Sequence, residues 1–228
     1  MTDKATIETA EFLRTIDESK NPTFTHHLKE AIHWLAMRQE YSHEYYRQLK
    51  RNTTRRKLEK ATLMLDHQMR VRIESAILAF LQNIHAACDA FPFALHIMMG
   101  GLTDDPADDY LKWNKKLLRQ ARNKFPQAHE LHAELEAFME DTNFKILASL
   151  VNQAKHKYFP RLVKHADFVN NRYYLFMRNV EHFTYPGGKK TKCVLDELDV
   201  LEFVKTVHNE TLVKVFHLYI HAYNAVKK

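Results

Sequence analysis

Residues 70–91, RVRIESAILAFLQNIHAACDAF, carry the pattern that decides the fold. Ile73, Ile77, Phe80, Leu81, Ile84, Cys88 and Phe91 recur at intervals of three and four. These positions share one face of an α-helix, so the side chains form a continuous apolar stripe that needs a core to cover it. Pro92 is expected to kink or interrupt this helix, because proline lacks an N–H and crowds the preceding turn. Gly100-Gly101 is expected to stop it. The apolar run Ile77 to Met99 also holds Gln82, Asn83, His85 and Asp89. Those groups are costly in a bilayer, so the run reads as a core helix and not a membrane span.

Upstream, Thr6 to Glu18 reads as a short helix ending before Asn21-Pro22, since the residue before proline is pushed out of α geometry. A long helix is expected from about Phe24, with Phe24, Leu28, Ile32 and Leu35 on one face, as far as the break at Arg51-Asn52-Thr53-Thr54. Downstream, Asp104 to Asp109 reads as a loop and Tyr110 to Lys124 as a helix. Pro126 is placed to open the next helix, whose apolar face is Leu131, Leu135, Phe138 and Met139. Asp141-Thr142-Asn143 is a capping cluster for a helix with Leu147, Leu150, Val151, Ala154 and Tyr158 on one side. Tyr173 to Tyr185 then turns aromatic and β-branched, Pro186-Gly187-Gly188 signals a turn, and Lys189 to Leu195 is expected to return antiparallel. Alternation in the first strand is imperfect around Arg178 to Val180, which a bulge would absorb. From about Asp196, Leu201, Val204, His208, Thr211, Val215, Leu218 and Ala222 form the seam of a last helix.

The fold expected is therefore mainly α. It is a helical bundle of about five to seven helices with a small β-hairpin before the C-terminal helix. One domain is expected over residues 1–228, with N-terminal helices to 53, central helices over 54–172, the hairpin over 173–195 and the last helix over 196–228. Only 4 glycines and 6 prolines occur, which suits long helices with few turns. The 14 Phe and 10 Tyr supply enough burial to exclude a disordered chain. Two distant thiols, Cys88 and Cys193, make neither a disulfide framework nor a zinc cluster, and no apolar leader is visible. Both point to the cytoplasm. Cys88, inside the stripe, reads as a buried inert thiol.

A net charge of +6 permits polyanion binding. It concentrates in Arg47, Lys50, Arg51, Arg55, Arg56 and Lys57, continuing to Lys60, diluted by Glu44 and Glu59. Such a run is either a solvated face or a track for a phosphate backbone. No aromatic residue interleaves after Tyr46, so sequence-specific reading of single strands is not indicated. A second cluster is Asn152-x-x-Lys155-His156, where Asn152 and His156 share a helical face with Lys155 alongside. It could hold a phosphate or act in acid–base chemistry, or Asn152 and His156 could simply hydrogen-bond between helices while the lysine stays in water. No metal site or cofactor is expected. Glu30-x-x-His33 and Glu40-x-x-His43 have di-iron spacing but lie on one helix nearly three turns apart. His217-x-x-x-His221 and His129-x-x-His132 could each chelate a metal from one helical face, but neither pair is read as a site. His208 reads as a hydrogen-bonded core histidine. Gly188-Lys189-Lys190-Thr191 is no phosphate loop, because position 183 is Phe and the turn joins strands.

Phe80-Leu-Gln-Asn-Ile-His-Ala-Ala-Cys-Asp89 and the later helix with Asn152-x-x-Lys155-His156, followed by a short β segment and a last helix, resemble the core of HEPN-like bacterial helical domains. The similarity runs from Arg70 to the C-terminus. Catalytic HEPN ribonucleases carry Arg, four to six residues, then His. Here Asn152 stands in place of that Arg, with three residues before His156. Arg38…His43 and Arg122…His129 also fit the spacing, at the frequency chance gives in a chain with 15 histidines. The resemblance therefore implies a non-enzymatic binding or interaction module, with RNA, another protein or a second copy of the chain as partner. The alternative is an RNA-directed, ribonuclease-like enzyme in which His156 is the general acid or base, Lys155 stabilises phosphate charge and the RNA 2′-OH is the nucleophile. A metal-binding helical bundle is the third reading.

Overall fold

The computed structural model describes residues 11–16, 22–60, 66–100, 112–156, 159–170, 172–184 and 191–227. The expected Asp104–Asp109 loop, the Pro186-Gly187-Gly188 turn and Tyr158 lie outside them. So does most of the expected first helix, of which 11–15 are helical. The chain is mainly helical: α1 Pro22–Asn52, α2 Arg55–Lys60, α3 His67–Met98, α4 Lys115–Lys124, α5 His129–Glu140, α6 Thr142–His156, α7 Val200–Thr206 and α8 Leu212–Lys227. A π-helical turn, Val207–Thr211, joins the last two. Strands β1 Leu162–Asp167, β2 Arg172–Thr184 and β3 Thr191–Asp199 form one antiparallel sheet in the order β1-β2-β3. Among the described residues no helix is long and apolar enough to cross a membrane.

The expected hairpin is β2–β3, and β1 is a third strand inside the stretch assigned to central helices. Six residues of strand are too short to show a period, and Leu162 is its one fully buried side chain. β3 continues four residues beyond Leu195, because Asp199 caps α7 by accepting from Leu201 and Glu202 backbone N–H groups. The imperfect alternation of β2 has a local cause. Leu175 and Met177 are buried before Asn179, and Val180 and His182 after it. Asn179 itself adopts φ 55, the left-handed region that asparagine tolerates better than most residues, and this shifts the buried set from odd to even positions.

The chain falls into two compact units, divided within α1, within α3, and at the starts of α6 and α8. One comprises Tyr41–His85 and Thr142–Thr211. Its core takes Ile73, Ile77, Phe80, Leu81 and Ile84 from α3, all fully buried, with Leu147 and Leu150 of α6 and Leu175 and Val180 of β2. α6 lies against β2. Fastening it there, Ser149 Oγ and Gln153 Nε2 both donate to the Glu181 carbonyl, at 2.5 and 3.1 Å.

The other unit comprises Met1–Glu40, Ala86–Asp141 and Leu212–Lys228. Here α5 packs on α8, and Phe91, Trp113, Phe138 and Tyr219 make an aromatic core. Asn114 caps α4, so that helix starts at Lys115, and of the expected Tyr110–Lys124 helix residues 112–114 lie ahead of it while Tyr110 lies outside the described residues. Pro126 sits in the turn ahead of α5, three residues before its start. α3 ends at a turn where Gly100 takes φ +91, the conformation glycine supplies at a helix end. Burial, then the charge of Asp89, pushes the Cys88 thiol well up, which makes it the inert thiol expected.

Of the kink or interruption expected at Pro92, the interruption does not occur, and α3 is continuous through it. A proline at 92 removes the N–H that would serve the Cys88 carbonyl four residues earlier. Trp113 Nε1 donates to that carbonyl at 3.2 Å instead. A buried acceptor thus keeps a partner, and the helix runs on to Met98. We expect Trp113→Phe to destabilise the protein by about 1–3 kcal/mol in urea unfolding, the range for stranding a buried polar group. In a Pro92→Ala background the same change costs less, because the N–H restored at position 92 serves the carbonyl. Strict additivity of the two substitutions would contradict this reading.

Candidate nucleic-acid interface

The C-terminal half of α1 presents His43, Tyr46, Arg47, Lys50 and Arg51, spaced so that His43, Tyr46 and Lys50 share a face. Ser42 and Leu49 are buried and fix the helix against the unit that contains them. Thr53 Oγ1 donates to the Leu49 carbonyl at 2.8 Å as α1 closes, and the Thr54 carbonyl accepts from the Lys57 and Leu58 backbone N–H groups of α2. Leu58 is buried, and its carbonyl accepts from Lys164 Nζ of β1 at 2.8 Å. That bond satisfies one of the orphan carbonyls at the end of α2. The two helices therefore bring Arg47, Lys50, Arg51, Arg55, Arg56 and Lys57 to the surface, all six exposed. Glu44 lies 4.0 Å from Arg47 and 3.9 Å from Arg51, while Glu59 holds Arg55 at 2.6 Å. Six cations face two carboxylates. Part of this charge serves the fold, since Lys50 and Arg51 lie in the last turn of α1, where cations offset the carbonyl end of the helix.

The π-helical turn makes the arrangement specific. In the seam read from sequence His208 is a core residue; with the π turn inserted, Val207 is the buried side chain and His208 is half-buried. The His208 ring stacks on Tyr46, with centroids 4.6 Å apart and planes 24° from parallel. Fully buried Phe80 also lies near-parallel to His208, at 6.2 Å. Asn209 Oδ1 accepts from His208 Nδ1 at 3.0 Å, which leaves His208 Nε2 to accept from His43 Nδ1 at 3.2 Å. Lys50 Nζ sits 4.6 Å from the Tyr46 ring centroid. Lys205 of α7 is bonded to Glu202 at 2.9 Å, and that bond, then the carboxylate's charge and more weakly Tyr46, holds its ammonium above the usual range. Sequence reading missed this cluster because His43 and His208 are 165 positions apart. The one local signal was the 43, 46, 50 spacing on α1.

Asn152, Lys155 and His156 are brought together on the last turn and a half of α6, and all three are exposed. Among the described residues no side-chain hydrogen bond or ion pair is made by any of the three. The interelement bonds come instead from the adjacent row, Ser149 and Gln153. Among the described residues no group of three or more His, Cys, Asp or Glu could hold a metal ion. His221 does meet two carboxylates, Glu130 at 3.3 Å and Glu134 at 3.2 Å, one beside each ring nitrogen, so both nitrogens already face an oxygen. Comparison of the chain with protein-family models, curated proteins and solved structures returns no match.

His182 of β2 lies beside the Ser149–Gln153 contact and is buried, and its Nδ1 has no hydrogen-bond partner among the described residues. Burial, then the charge of Lys145, lowers its pKa below the ordinary 6.5. The native state therefore resists protonating a ring that the unfolded chain protonates readily. Stability from this group is intact above pH 6.5 and falls as the pH drops through that value toward the lowered pKa. We expect the urea midpoint of His182→Leu to decline less between pH 7.5 and pH 5.5 than that of the unaltered chain (about two units spanning the histidine range). Equal declines would contradict a neutral buried His182.

Proposed function

We propose that this chain is a HEPN-like, non-enzymatic binding module of the cytoplasm that docks RNA through its phosphate backbone. The observation that carries the reading is the exposed surface formed by Arg47, Lys50, Arg51, Arg55, Arg56 and Lys57 on two consecutive helices. Cations that release counterions from a nucleic acid gain affinity without needing sequence contacts. The HEPN-like component of the reading is supported by the order of elements: a core helix, the helix with Asn152-x-x-Lys155-His156, a short sheet and a last helix.

Catalysis by His156 is the weaker reading. A general acid or base works when neighbours orient its ring and water is kept away. His156 and Lys155 are exposed at a helix end, with no hydrogen-bonding partner among the described residues.

Binding of labelled, mixed-sequence single-stranded RNA, followed by anisotropy between about 50 and 200 mM salt, tests the proposal. The Arg55→Ala, Arg56→Ala, Lys57→Ala triple variant is expected to bind more weakly. Its slope of log affinity against log salt is expected to be shallower by about 2, near 0.7 per lost phosphate contact. A triple variant with native folding and an unchanged slope would remove this face from RNA binding.

A further inference from the structure

We propose that Tyr46 is a stacking platform for one unpaired nucleobase, set inside the basic face and covered by Lys50 when no RNA is bound. The inference rests on the RNA-binding reading and adds a base-contacting position to it.

The argument begins with the ring's support. A base stacks well on an aromatic side chain that is already fixed, because little rotamer freedom is then lost. Tyr46 is half-buried, with His208 stacked against it at 4.6 Å and Phe80 at 6.3 Å. His208 is itself fixed, through its bonds to Asn209 and His43 and through the π-helical turn that carries it. π-helical turns interrupt an otherwise regular ladder and are frequent at functional sites. Here the turn places His208 flat on a tyrosine 162 positions earlier in the chain (residues 46 and 208).

The second part concerns the cover. Lys50 Nζ lies over the Tyr46 ring at 4.6 Å, and the Lys50 side chain is exposed. An exposed cation–π contact is weaker than a base–aromatic stack, so a base displaces the ammonium. The displaced Lys50 stays within reach of the adjoining phosphate. Lys205, bonded to Glu202, lies near enough to Tyr46 to interact with it electrostatically. The chemistry selected is thus a flat π-face carried on a polyanion, with no preference among the bases, since every base has such a face.

Two ligands separate this inference from the reading it rests on: a single-stranded RNA, and a strand of the same length and charge lacking its bases. With the unaltered chain the base-bearing strand is expected to bind more tightly. Tyr46→Ala is expected to weaken that strand by between about fivefold and about 150-fold and to leave the abasic strand unchanged. Tyr46→Phe is expected to bind both as the unaltered chain does. Equal binding of the two strands, or equal loss of both in Tyr46→Ala, overturns the platform and leaves phosphate docking standing. Binding of neither strand overturns both proposals. Should Tyr46→Ala fail to fold, photocrosslinking of 4-thiouridine RNA to the unaltered chain decides. Adducts on Tyr46 or Lys50 support the platform; adducts confined to other residues overturn it.

Discussion

Burial of the α3 stripe is the constraint on which the rest of the structure depends. Ile73, Ile77, Phe80, Leu81 and Ile84 are fully buried in one compact unit, and Cys88, Phe91 and Leu95 in the other. Each aliphatic or aromatic side chain of that size contributes about 1.5–3 kcal/mol when removed from water. The stripe also explains why a proline is tolerated in mid-helix. An interruption after Cys88 would expose Phe91 and Leu95, and one indole N–H to the stranded carbonyl is enough to avoid it.

The same stripe reaches the surface chemistry through Phe80. This ring is wholly buried, yet it lies near-parallel to His208, which in turn lies on Tyr46, the ring under Lys50 of the basic face. Core packing thereby sets the position of a half-buried aromatic ring. The π-helical turn is what lets one helix serve both purposes. Val207 and Thr211 remain buried, and His208 between them is released toward α1.

Most of the architecture was legible because helical periodicity is local. The α3 stripe, the break after Asn52, the stop at Gly100 and the hairpin each announce themselves within a dozen residues. The features that escaped are those set by distant partners or by backbone departures without a residue signature. β1 is too short to display a period. A π turn shifts a seam by part of a residue's rotation, and nothing in Val207-His-Asn-Glu-Thr211 advertises it. The repair at Pro92 depends on Trp113, 25 positions from the carbonyl it serves. The basic run was legible in full, since charge needs no partner to be counted. Whether Asn152 or Gln153 would face inward was not. Neighbouring polar residues on one helix differ by 100° of rotation, and tertiary contact alone selects between them.

The balance between binding and catalysis turns on preorganisation. Cations spread over two exposed helices can attract and hold a polyanion without exact placement, because the attraction is long-ranged. Acid–base catalysis instead needs atoms held to within fractions of an ångström by neighbours. The basic face meets the first requirement, and the exposed Asn152–His156 turn does not meet the second. The most direct test follows a mixed RNA pool incubated with metal-free protein, reading retention and strand length together, beside a His156→Ala variant. We expect RNA to be retained and to stay full length with both proteins. RNA cut by the unaltered chain and spared by a folded His156→Ala would contradict the account and make His156 a catalyst.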